Sequence, residues 1–322
     1  MMRIVLALAS LKFTPVGLLL LGVASLGVYQ FGPSATPWLA GPLLLLAVNL
    51  IAAVATNATF RRQMPLLVFH LALIALVLLA AAGRLTYLNG TAAVTEGLEF
   101  DGLKSRDAGP LHYGRLDKVR FVNEGFDIFY MAGPVLDRMV NRVRWLDGNG
   151  VQRTAEIEHN RPLILFGYRF YPTSNKGFAP VLLWRPAKGE PVLGALHLPP
   201  YPASADNQAA TWQPGGTGAD IWLMLEVEES LIPADRPSRF RLPEKQKIVV
   251  RYQGSRWEML PGEKIMLPDG VLEYHELRTW MGYKVFYDWT IPWILASCIA
   301  AIASMAWHFW RKFASKPWNK DD

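Results

Sequence analysis

Cysteine is almost absent: Cys298 is the single thiol, and the stretch from Arg84 to Asp288 has none. A disulfide framework is therefore excluded for that stretch, which has to be stable through its core alone. No thiol pair exists for redox work, so the chain is not itself a thiol–disulfide carrier. Signatures of hydrolytic chemistry are missing as well. There is no nucleophile elbow, no Walker loop and no HExxH, and a pair such as Glu273 and Glu276 is ordinary surface chemistry. Nor is there a basic tract that would call for nucleic acid. The formal net charge of +6 has another origin.

That origin appears once the apolar residues are located. They cluster in four runs of the length a membrane span needs: Phe13–Phe31, Thr36–Thr56, Met64–Gly83 and Trp289–Trp310. Arg3, Lys12, Arg61, Arg62, Arg311, Lys312, Lys316 and Lys320 flank these runs on one side, opposed only by Asp321 and Asp322. Between Arg84 and Asp288 cations and carboxylates balance, so the whole excess sits at the helix ends. The positive-inside rule then places both termini in the cytoplasm and residues 84–288 outside. The chain divides into a three-helix N-terminal membrane region (1–83), an extracytoplasmic domain (84–288), a C-terminal span (289–311) and a cytoplasmic tail (312–322). A short apolar stretch, Ile4–Ala9, is interrupted by Lys12 and reads as an interfacial turn leading into an uncleaved helix. Pro33 and Pro37 in Gly32–Pro37 suit a hairpin between the first two spans.

The outside domain reads as mainly β. Short runs with partial alternation predict strands at Val119–Val122, Asp127–Met131, Asn141–Leu146 and Val151–Glu158. Asp147-Gly148-Asn149-Gly150 is a hairpin turn, since Gly and Asn tolerate positive φ. Further strands are expected at Leu165–Tyr171, Val181–Trp184, Ile221–Val227, Ile248–Tyr252, Val271–Thr279 and Tyr283–Tyr287. Ala132–Val140 is expected as a short helix or turn. The Pro- and Gly-rich Pro199–Asp220 is expected as a long exposed loop that divides the sheet. The architecture these elements predict is a sandwich or open barrel. Phe166–Tyr171 and Met281–Tyr287 share a pattern of Gly, aromatic, cation and further aromatics. One face of each would be apolar and the other would carry Arg169 or Lys284.

One residue in the membrane runs is out of place. His70 interrupts the otherwise uncharged Pro65–Gly83. An ionisable side chain there is costly and points to a ligand, a proton path or a polar helix partner. Imidazole is also a common ligand of metals and haem iron. His70 is eight residues beyond Arg62, so it lies ~12 Å from the cytoplasmic end of its helix. His308 is the other membrane histidine, three residues before Arg311 and at similar depth. It either completes a clamp on one iron or sits in an interfacial belt with Trp307 and Trp310. His112, His159, His197 and His275 lack metal-ligand spacing. Trp184, Trp212, Trp222, Trp257 and Trp280 are core candidates or an apolar haem-holding surface, and Arg169 and Lys284 are possible partners of haem propionates. Asn49 and Asn57 would bond other helices.

Taken in order, several segments resemble the ResB family of cytochrome c biogenesis, the membrane proteins of System II. They are Leu8-Ala9-Ser10-Leu11-Lys12 before a leucine-rich span, Asn49-Leu50 late in the second and Arg61-Arg62. His70 follows in the third, then Asn160-Arg161-Pro162-Leu163 and Gly167-Tyr168-Arg169-Phe170-Tyr171-Pro172-Thr173-Ser174. Gly282-Tyr283-Lys284-Val285 and Tyr287-Asp288 lead into the last helix. The order covers nearly the whole chain. Two positions depart from the family pattern: Gly27-Val28-Tyr29 replaces Gly-Thr after the first span, and Asp288-Trp289-Thr290 replaces Asp-Pro-Gly before the last. The chain is also short for the family. These departures leave open a divergent ResB-like subfamily with a specialised client or partner.

The resemblance implies a bacterial inner-membrane subunit that works with a multi-span partner carrying a tryptophan-rich haem-binding segment. Together they bring haem b to CxxCH sites of apocytochrome c. This chain has neither a tryptophan-rich segment nor CxxCH, so it would be a non-catalytic subunit of the haem-lyase complex, embedded in lipid. His70 matches the family's third-span histidine, an axial haem ligand, with the second ligand on the partner. Two other readings follow from the residues. A b-type electron-transfer subunit would use His70 with His308, and a cofactor-free membrane-anchored scaffold would use His70 only as helix glue.

Overall fold

A computed structural model describes residues 2–215 and 218–314. Lys316, Lys320, Asp321 and Asp322 of the expected tail lie outside the described residues. The chain forms two compact units. One takes in the described residues up to Asn89, Arg106–Gly114 and those from Phe286 onward; the other is Gly90–Ser105 with Arg115–Val285.

The first unit is helical: α1 (Met2–Leu8), α2 (Phe13–Phe31), α3 (Ala40–Thr56), α4 (Ala58–Arg62), α5 (Met64–Thr86) and α6 (Ile291–Phe313). Four helical segments are long and apolar enough to cross a membrane, three near the N-terminus and one at the C-terminal end. Their starts follow from local chemistry. Pro65 and Pro292 occupy the first turns of α5 and α6, where a missing N–H costs nothing. The predicted hairpin between the first two spans is a 3₁₀ helix, Pro33–Leu39, entered through Gly32 at φ 78°. α5 packs against both α3 and α6, and α2 against α3. Leu19, Leu26 and Ile302 stay about 70% exposed (69%, 69% and 71%), as side chains facing hydrocarbon do. Asn49, buried, bonds where the sequence suggested: Nδ2 donates to the carbonyls of Leu8 (2.6 Å) and Ser10 (3.2 Å), and Thr14 Oγ1 donates to its Oδ1. It ties α3 to the α1–α2 corner. Asn57 instead caps α4, accepting from Thr59 N.

The strands run in chain order as β1 (Leu88–Thr95), β2 (Ser105–Ala108), β3 (Val122–Tyr130), β4 (Leu136–Leu146), β5 (Gln152–Ile157), β6 (Leu163–Leu165), β7 (Tyr168–Pro186) and β8 (Val192–Ala195). Then come β9 (Ala209–Trp212), β10 (Ile221–Val227), β11 (Ser238–Arg239), β12 (Gln246–Tyr252), β13 (Ser255–Met259), β14 (Lys264–Leu267) and β15 (Gly270–Tyr287). They form a seven-stranded sheet of order β2-β1-β15-β7-β6, with β14 on β15 and β8 on β7. Two four-stranded sheets have orders β13-β12-β10-β9 and β11-β3-β4-β5. The sheets are antiparallel and none closes into a barrel.

The hairpin at Asp147–Gly150 is as predicted. Gly150 takes φ 75°, and Asp147 Oδ1 accepts from the N–H groups of Asn149 and Val151. Elsewhere long-range pairing changes the expected elements. Leu165–Tyr171 is not one strand. Phe166 (φ 51°) and Gly167 (φ 84°) make a two-residue turn, and Leu165 pairs Tyr168 across it. Ala132–Val140 is not a helix. The turn closes with Met131 N–H on Val135 O, and Leu136 already pairs Tyr130 because β4 buries Met139 and Val140 against β3. Pro199–Asp220 is not wholly exposed. It contains β9, buries Gln208 and Trp212, and connects two sheets. Val271–Thr279 and Tyr283–Tyr287 are one strand, β15. Along β7 and β15 the predicted alternation holds: Tyr168, Phe170, Tyr283 and Val285 are buried, while Lys284 faces out.

The core of the second unit is aromatic. Phe100 stacks on Phe121 at 5.4 Å, and both meet Phe170 edge-on, with Tyr283 against Phe121. Beside it lies a closed polar network. Asn141 Nδ2 donates to Asn123 Oδ1 (2.7 Å) and Gly125 O, Asn123 Nδ2 donates to Val94 O, and Tyr283 Oη donates to Asn141 Oδ1 (2.8 Å). Every amide group in it is satisfied, so it specifies strand register without an orphaned polar atom.

Candidate functional site

His70 stands in the second turn of α5. Its Nδ1 is 2.7 Å from the carbonyl oxygen of Leu66, one turn earlier. A carbonyl only accepts, so Nδ1 carries a proton, and of the two neutral tautomers this bond selects the one with its lone pair on Nε2. A backbone carbonyl holding one nitrogen while the other is left to ligate is the arrangement that orients metal-binding imidazoles. The ring is half-buried. Phe60, on α4, stacks near it at 4.1 Å between centroids and 32°, and Phe69 meets it edge-on at 5.4 Å. The short helix α4 and the extended Gln63 fold Phe60 back onto α5, so one wall of the site is built by the sharp turn before the span. The sequence marked His70 by polarity alone and missed Phe60, which in one dimension is merely an aromatic before two arginines.

His308 is placed differently. It lines a groove with Arg62, Gln63, Leu66, Arg311 and Lys312, and His70 is not among the lining residues. Its ring contact is Phe309. Leu66, whose carbonyl meets His70 Nδ1, is the residue common to the two places. Among the described residues no group of three or more His, Cys, Asp or Glu side chains gathers to hold a metal ion. An imidazole whose Nδ1 is engaged by a backbone carbonyl is of a kind that could hold a haem iron through Nε2.

A knot joins the far end of α5 to the start of α6. Asp288, buried, accepts at Oδ1 from Thr290 N (2.9 Å) and Thr290 Oγ1 (2.6 Å), and its Oδ2 lies 3.6 Å from Arg84. Trp289 Nε1 donates to Thr86 Oγ1 at 3.0 Å. Gly83 leaves the room: a Cβ there would sit 2.9 Å from Thr290 Oγ1. This knot occupies the Asp288-Trp289-Thr290 position where the family pattern differs, and it aligns the helix that carries His70.

The remaining histidines have local partners or lie on the surface. His112 bonds the Thr86 carbonyl (2.8 Å) and packs on Tyr287. His275 faces Glu273 at 3.4 Å, and His159 is exposed in a turn. His197 is the exception. Lys104 Nζ donates to its Nδ1 at 2.7 Å, so Nε2–H donates to Thr95 Oγ1 at 2.8 Å, and the ring tilts against Trp280. Burial, aided by the Lys104 charge, lowers its pKa to about 4. Of the five tryptophans considered as a haem-holding surface, Trp184, Trp212 and Trp280 are buried, while Trp222 and Trp257 are partly exposed, Trp222 under Arg251.

The fold defines a protein with four candidate membrane spans, the third of which carries the imidazole of His70. Residues 51–199 match the family model described as the ResB-like family. The matched stretch includes His70, Asn160–Leu163 and Gly167–Ser174. A search of curated proteins finds no match.

Proposed function

We propose that the chain is a haem-delivery subunit for cytochrome c maturation, in which His70 Nε2 holds transiting haem by one axial bond. The carrying observation is the Leu66 carbonyl on Nδ1, which leaves Nε2 as the ligating atom within a span of a ResB-like stretch. In this reading a multi-span partner with a tryptophan-rich segment provides the second ligand. Both termini are cytoplasmic, the β domain lies outside the bacterial inner membrane, and it docks the partner and apocytochrome c. Haem is the cargo. The chain's own residues orient the imidazole through Leu66, wall it with Phe60, and keep α5 aligned through the Asp288 knot.

The test is the reduced visible spectrum and haem content of the purified chain, with and without its co-expressed partner, in wild type, His70→Ala and His308→Ala. Haem that requires the partner and is lost in His70→Ala, but kept in His308→Ala, is the expected result. Stable haem in the isolated chain that needs both histidines would replace this reading with electron transfer. No haem in any state, with maturation unaffected by His70→Ala, would leave a scaffold.

A further inference from the structure

The end of α4, the start of α5 and the end of α6 enclose a groove of about 580 Å³. Arg62, Gln63 and Leu66 form one wall, and His308, Arg311 and Lys312 the other. Its charge is unbalanced. Its lining holds Arg62, Arg311 and Lys312 and no carboxylate side chain. The groove also sits at a defined depth. α5 and α6 each have 23 residues. At ~1.5 Å per residue each is about 34 Å long, slightly more than the ~30 Å hydrocarbon layer. Their ends therefore reach the headgroup level. Trp307 and Trp310, 47% and 75% exposed on the same end of α6, match an interfacial belt. A site there that offers two forked guanidiniums above an apolar floor suits a phosphodiester more than a point cation or a neutral ligand.

We infer that this groove seats the headgroup of an anionic phospholipid, its phosphate held by Arg62 and Arg311 with Lys312 and His308 at the rim. A zwitterionic headgroup carries its own cation into the same space and binds less well. The inference does not use the haem reading: His70 does not line the groove, and Leu66, whose carbonyl meets His70, contributes only to its apolar floor.

Native mass spectrometry of the full chain in detergent tests it, titrating phosphatidylglycerol against phosphatidylcholine of matched acyl chains. The expected result is a preference of about tenfold or more for phosphatidylglycerol. It should vanish in Arg62→Gln/Arg311→Gln, persist in Arg62→Lys/Arg311→Lys and be unchanged in His70→Ala. Arg311→Gln alone, at an exposed helix end, should weaken the preference and serves if the double variant does not fold. Equal retention of the two lipids would overturn the proposal. So would displacement by inorganic phosphate alone, which marks a free-phosphate site, by haem, or a preference surviving in folded glutamine variants.

Discussion

At the residue scale, three side chains show how far chemistry can be read in one dimension. His70 was visible because one ionisable group in an apolar run is costly wherever the run folds. Its free nitrogen was not, because that depends on the Leu66 carbonyl. His197 looked like any other scattered histidine, since its burial comes from Thr95, Lys104 and Trp280, which are distant in sequence. Its folded pKa of about 4 lies below the ordinary 6.5. The unfolded chain takes up this proton near 6.5 and the folded chain only near 4, so acid favours unfolding. This contribution is constant above pH 6.5, falls by up to about 3 kcal/mol on the way to pH 4, and then levels. The urea midpoint of the full chain in detergent should drop between pH 7 and pH 5, and His197→Gln should remove much of that drop. An equal drop in the variant would assign it to other groups. Gly83 gives a simpler prediction. Gly83→Ala drives a methyl into Thr290 and should cost about 1–3 kcal/mol. Gly22→Ala, which meets open space on α2, should cost nothing; thermal unfolding in detergent compares the two.

Elements were legible where their signals are local. Uninterrupted apolar length gave the four spans, and Asp147–Gly150 gave its hairpin. The errors lie where pairing overrides pattern. Phe166-Gly167 reads as strand because Phe and the following aromatics favour strands, yet both residues adopt positive φ and reverse the chain. Leu136–Val140 becomes strand only because β3 is beside it. The family-like Gly282-Tyr283 has a role no local signal reveals. Gly282 lets the Asn175 carbonyl approach, where a Cβ would lie at 2.8 Å, and Tyr283 closes the asparagine network. Tyr283→Phe leaves Asn141 Oδ1 buried without that donor and should destabilise the β domain by about 1–3 kcal/mol. Denaturant unfolding followed by tryptophan fluorescence measures this. An unchanged midpoint would mean that water replaces the hydroxyl.

For the whole molecule, the proposed orientation is open to direct test. In a Cys298→Ala background, Asn149→Cys on the exposed β hairpin should react with a membrane-impermeant maleimide on intact spheroplasts. Gln63→Cys should react only after permeabilisation, and the reverse pattern would invert the topology. The spans, the β character of the long insert and the suspicion on His70 were all carried by composition and order, because hydrophobic length and the cost of a buried ionisable group do not depend on what the chain later meets. Sheet order, the hairpin at Phe166-Gly167, the Leu66 carbonyl on His70 Nδ1, the groove at His308 and the Asp288 knot required the fold. Each depends on groups brought within about 3–4 Å from positions far apart in sequence, or on which side of a helix a ring lies, and such proximity is created only when the elements pack.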